Sequence, residues 1–164
     1  MSDRPPVAYL IMSYTLPDQV LRLVRALRAG SPGGHVVIHH DACRCSLDRR
    51  GLQEAGAHSL EPAVPVRWGD FSQLAAVLRG FAWLLENTDF EWLVLLSGQD
   101  YPLRPVPDIE RDLRDAPYDA FIETRLVPAP PVFRRTLDEF PTRYFYRYAA
   151  LPDRPAAARL AALV

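Results

Sequence analysis

The chain predicts an α/β fold, a mostly parallel sheet flanked by helices, and three observations carry that expectation. Short apolar runs at residues 7–12, 35–39 and 92–96 alternate with stretches of helical periodicity, the pattern of strands joined by crossover helices. The runs are continuous rather than alternating, which suits strands covered on both faces. Each run is followed at once by polar residues or glycine, so right-handed crossovers would gather those residues along one rim of the sheet.

Residues 7–12 form the first expected strand, followed by Ser13, Tyr14 and Thr15. From Leu16 onward, Val20, Leu21, Val24 and Leu27 recur at helical spacing; Thr15 suits the cap, Pro17 the first turn and Gly30 the exit. After the turn at 31–34, a second strand at 35–39 ends in His39, His40 and Asp41. The polar stretch that follows holds a short helix within 47–55. A third strand is expected at 64–68, near an edge because of Pro65. Residues 69–72 then lead into a helix with Leu74, Leu78, Phe81, Leu84 and Leu85 on one face, capped by Asp70 or Ser72. Residues 92–96 make a fourth strand, expected in the middle of the sheet. It delivers Ser97, Gly98, Gln99 and Asp100 before Pro102 stops the ladder. A short helix at 108–115 and a fifth strand at 119–124 complete the regular pattern. Beyond it lie a proline-, aromatic- and arginine-rich stretch and the start of an apolar helix at 156–164.

At 164 residues the chain suits one domain with one core. A net charge of -1 supplies no basic field, which argues against nucleic acid as a partner. All 19 basic residues are Arg, scattered along the chain, which reads as compositional bias. No apolar run approaches the roughly 20 residues of a membrane span, and no signal-type segment follows the N-terminus; the expected location is cytoplasmic. Cys43 and Cys45 are the only cysteines. Their spacing disfavours a disulfide and offers too few ligands for zinc, so they are read as reduced loop thiols.

Several chemistries are excluded. The turn after the first strand has no glycine with which to cradle a pyrophosphate, and without Lys there is no Walker-type loop. The neighbours of Ser97 do not form a nucleophile elbow. What remains is recognition of a nucleotide through its base and ribose, by an aromatic for stacking and a carboxylate for hydroxyl or imide donors.

Four blocks in order, 7–14, 37–41, 67–72 and 95–103, resemble the core-2/I-branching glycosyltransferase family, which includes β-1,6-N-acetylglucosaminyltransferases and peptide O-xylosyltransferases. The resemblance implies a GT-A-like, Rossmann-like fold and inverting transfer of a GlcNAc- or xylose-class sugar from a UDP-sugar to a glycan or peptide hydroxyl. It implies that Asp41 and Trp68 hold the uridine, that Ser13 and His40 line that pocket beside Gly69 and Gly98, that Asp100 faces the transferred sugar, and that Glu123 meets an acceptor hydroxyl. The chain has no Asp-x-Asp pair, and the family resemblance implies no cofactor and no metal, with basic side chains compensating the diphosphate charge. It divides the chain into a nucleotide-sugar-binding domain at 1–125 and the beginning of an acceptor half at 126–164. The family's general base and diphosphate clamp fall downstream of the matching segment, so the chain reads as truncated at its C-terminus with its catalytic base past Val164; within it only Glu123 or the Asp138–Glu139 pair stand as substitutes.

Other readings stay open beside this one. His39 and His40 also fit buried, hydrogen-bonded strand-end histidines, and Trp68 fits a core residue under the following helix. A non-catalytic nucleotide-sugar-binding or interaction module would carry the same rim, and a structural α/β domain would carry it without using it. If the protein ends at Val164, an apolar patch along the fifth strand and last helix is expected, and with it self-association.

Overall fold

A computed structural model describes residues 5–67 and 69–122. The chain divides into two compact units, Met1–Pro117 and Tyr118–Val164. In the first, four parallel strands lie in the order β3-β2-β1-β4: β1 Val7–Ser13, β2 His35–His40, β3 Ala57–Ser59 and β4 Trp92–Ser97. The intervening helices are α1 Pro17–Gly30, α2 Arg49–Glu54, α3 Ser72–Asn87 and α4 Val106–Asp115. This is the α/β, Rossmann-like arrangement that the apolar runs predict.

Central β1 is covered on both faces, as its unbroken apolar run requires. Val7, Tyr9 and Ile11 pack with Val20, Leu23, Val24 and Leu27 of α1 and Val106 of α4. Ala8 and Leu10 face the opposite layer with Leu84 of α3. Buried Glu110 of α4 accepts a 2.8 Å hydrogen bond from the Tyr9 hydroxyl. Burial and that neighbouring carboxylate both raise the phenol pKa, so Tyr9 stays protonated and the bond is kept.

Within the first unit the structure corrects five expectations. The stretch 64–67 is not a strand, and the third strand is instead Ala57–Ser59. Pro65 removes one ladder donor, and the amides on either side of it are taken by side chains: Val64 donates to His39 Nε2 and Val66 to Asp41 Oδ2. Among the described residues β4 is an edge strand, and Leu95 on it is 48% exposed. Helix α3 turns a different face to the sheet than the large side chains suggest. Ala76, Gly80 and Leu84 are buried, while Leu74, Leu78 and Leu85 are exposed. A Cβ on Gly80 would lie 2.5 Å from Leu10 Cδ2, so the glycine lets the helix settle directly onto β1. Thr15 does not cap α1; Leu16 holds the N-cap position in the left-handed region and no side chain bonds there. Nor does Ser72 or Asp70 hold the N-cap position of α3, which falls to Phe71; Asp70 instead accepts from the Ser72 amide one step earlier in the turn.

In the second unit residues 118–122 form no strand, and Tyr118 meets Phe121 edge-on with ring centroids 5.9 Å apart. The rest of the expected fifth strand, the boundary after residue 125, the Asp138–Glu139 pair and the last helix lie outside the described residues.

Candidate functional site

The strand order places a topological switch between β1 and β4. From β1 the chain winds outward through β2 and β3, then crosses over α3 to return on the other side of β1. Ligands in open α/β sheets bind outside the carboxyl ends of the strands at such a point.

Ser13 is the hub of that rim. Its hydroxyl lies 2.9 Å from His40 Nδ1, and its carbonyl accepts the Asp41 amide at 2.9 Å. On the other side Gly98 donates to the Met12 carbonyl at 2.8 Å, and a Cβ on Gly98 would stand 2.7 Å from the Ser13 Cβ. Only glycine lets the end of β4 approach β1 so closely. His40 Nε2 lies 2.7 Å from the Cys45 carbonyl. That carbonyl can only accept, so Nε2 carries a proton and, in the neutral ring, Nδ1 receives the Ser13 hydroxyl proton. Ser13, His40 and Asp41 are all buried. They form a hydrogen-bonded wall, with the exposed Tyr14 ring at its edge.

Asp41 fastens two loops at once. Its Oδ1 accepts the Cys43 amide at 3.1 Å and its Oδ2 the Val66 amide at 3.0 Å. Burial works to raise its pKa, but hydrogen bonds from the Cys43 thiol and amide and from Val66 outweigh it and hold the carboxyl below its usual range. The same contact pushes the Cys43 thiol up, which keeps Cys43 protonated and able to donate.

On the β4 side the chain makes a compact turn. Asp100 Oδ2 accepts the Ser97 amide at 2.7 Å, the Asp100 amide returns to the Ser97 carbonyl at 3.0 Å, and the Gln99 amide reaches Ser97 Oγ at 3.2 Å. Asp100 is exposed, and among the described residues its Oδ1 has no hydrogen-bond partner. Gly69 adopts φ 81°, and a Cβ there would meet nothing within 4 Å. Trp68 and Glu123 lie outside the described residues. The structure therefore brings Ser13, His40, Asp41 and Gly98 together, with Asp100 two residues past Gly98, and leaves Gly69 off any strand end.

Sequence reasoning missed several neighbours of the rim. Arg22 of α1 lies over the Tyr101 ring at 4.3 Å, Arg44 over Tyr14 at 5.5 Å, and Gln19 Nε2 reaches the Asp100 carbonyl at 3.5 Å. Position on the first two turns of α1 was the one available signal for Gln19 and Arg22. Among the described residues no group of three or more His, Cys, Asp or Glu could hold a metal ion. A cleft of about 420 Å³ opens at the opposite, amino end of the sheet, lined by residues that include Arg28, Gly34, Gly56 and the stacked pair His58 and Trp83. The candidate site residues sit on the rim and do not line this cleft.

The parallel sheet, its flanking helices and the switch point between β1 and β4 define a Rossmann-like α/β domain. The family model for the Core-2/I-Branching enzyme matches residues 7–138, and the chain belongs to that family, with a glycosyltransferase-type function. No curated protein matches the chain. Among the described residues no helix is long and apolar enough to cross a membrane.

Proposed function

We propose that the rim binds the nucleoside diphosphate of a UDP-sugar and that the protein serves an inverting, metal-independent transfer of a GlcNAc- or xylose-class sugar to a glycan or peptide hydroxyl. The observation that carries this reading is the convergence of Ser13, His40, Asp41 and Gly98 on one rim within a chain of this family. Asp41 is held ionised, and a carboxylate has lone pairs beyond the two that Cys43 and Val66 occupy, enough to accept from an imide or ribose hydroxyl. Tyr14 offers an exposed ring at the pocket's edge, and Trp68 follows directly on the segment that Asp41 holds. Asp100, exposed and with one oxygen unengaged among the described residues, is assigned to the hydroxyls of the transferred sugar.

In an inverting transfer the acceptor oxygen forms its bond to the anomeric carbon as the bond to the diphosphate breaks. UDP leaves with the bonding pair, and a carboxylate takes the acceptor's proton. Glu123 is assigned to the acceptor side. Calorimetry with UDP in the presence of a chelator tests the reading: binding at about 1 mM or tighter is expected. No binding, or binding only after Mn²⁺ is added, would contradict it. Release of sugar from a UDP-sugar would separate an enzyme from a binding module.

A further inference from the structure

The segment 60–66 carries no helix or strand, only a bend at its start, and one residue, Arg67, separates it from Trp68 and Gly69 in the sequence. Two side chains from the end of β2 hold it. The Val64 amide donates to His39 Nε2 at 2.9 Å and the Val66 amide to Asp41 Oδ2 at 3.0 Å. These alternate amides flank Pro65, which has no amide to give, so the segment is suspended from β2 as a strand would be, but by side chains. His39 is 1% exposed. Its Nε2 can accept only while that nitrogen is unprotonated.

We propose that His39 is a positioning residue for the nucleoside side of the rim: as a neutral acceptor it works with Asp41 to hang the 64–66 segment in place, and protonating it releases that segment. The inference rests on the reading of the rim as a uridine site, which it deepens by assigning the pocket a pH-dependent wall.

The surroundings favour the neutral ring. Burial lowers the His39 pKa first and foremost; the Asp41 charge opposes this, while Arg79 of α3 and neighbouring His40 reinforce it. On the segment itself, Glu61 is paired with Arg49, and its carbonyl accepts from Arg79. Because the folded pKa is depressed, the latch is complete above the ordinary imidazole value, about 6.5, and is lost as pH falls through the folded value. Asp41 lets go only at lower pH, since its own pKa lies below the usual carboxylate range. Between the two, Val66 stays anchored to Asp41 while Val64 is released from His39.

The test has two arms. Hydrogen exchange at the Val64 amide, corrected for the intrinsic rate and followed without ligand from neutral pH to pH 5, should show protection falling by about tenfold or more while the β1 amides hold theirs. Binding of uridine, which has no group titrating in that range, should weaken in parallel. In His39→Gln, whose amide oxygen can accept at every pH, both profiles should flatten. Unchanged Val64 protection in the wild-type protein would overturn the proposal, as would an identical pH profile in His39→Gln, which would assign the effect to another group such as His40. Absence of uridine binding at any pH would refute the rim reading while the exchange arm still decided the latch.

Discussion

The two flanks of the switch point are built differently although both close on Ser13. On the β2 flank, Ser13, His40 and Asp41 are buried, and two of their bonds, Ser13 to His40 and Asp41 to Val66, join residues far apart in sequence. On the β4 flank, Ser97, Gln99 and Asp100 are exposed, and apart from the Gly98 amide on Met12 and Gln19 on the Asp100 carbonyl the turn is held by bonds among its own four residues. The first arrangement fixes geometry through long-range bonds in a low-dielectric setting, where losing a partner is costly. The second leaves a carboxylate available to solvent and substrate. A rim of this kind can hold one part of a ligand rigidly and adapt to another, which suits a constant nucleoside and a variable sugar.

The strongest way to break the contrast is to remove the fastener of the rigid flank. Asp41→Ala removes the acceptor of the Cys43 and Val66 amides and should cost about 1–3 kcal/mol in urea unfolding, as two part-buried bonds to a charged group are lost. Asp41→Asn, which retains one acceptor oxygen, should recover part of that. Gly98→Val tests the seam between the flanks: the added Cβ meets Ser13 at 2.7 Å, and overpacking of that kind should cost about 1–3 kcal/mol.

Acid titration sharpens the comparison further. The depressed Asp41 pKa means that its stabilisation is complete above the unfolded carboxylate value, about 3.9, and is lost as pH falls through the lower folded value. The acid limb of the stability curve should therefore flatten in Asp41→Ala. On the open flank, Asp100→Asn should change stability by no more than about 0.5 kcal/mol while weakening a UDP-sugar more than UDP itself. An equal loss for both ligands would remove Asp100 from the sugar.

Much of this was legible in the sequence because burial leaves a direct trace there. Residues 7–12 and 35–39 read as strands since both faces are covered, and the polar residues immediately after them mark the rim. Two of the misreadings, the inner face of α3 and the strand at 64–68, share one cause, that sequence weight follows side-chain size. Gly80 and Ala76 carry little hydrophobic weight, so the true inner face of α3 was hidden behind larger leucines. Val64 and Val66 carry enough to suggest a strand, while the acceptors that take their amides, His39 and Asp41, lie some 25 residues away. Long-range bonds from backbone to side chain leave no local pattern, and Arg22 and Tyr101 met unforeseen for the same reason.

The most direct test of the central claim is a hydrogen-exchange footprint of UDP on the wild-type protein. Ligand at the rim should protect the amides of Cys43, Val66 and Gly98 and leave those of Gly34 and Ala57 unchanged. Protection confined to Gly34 and Ala57, at the amino end of the sheet, would contradict the account.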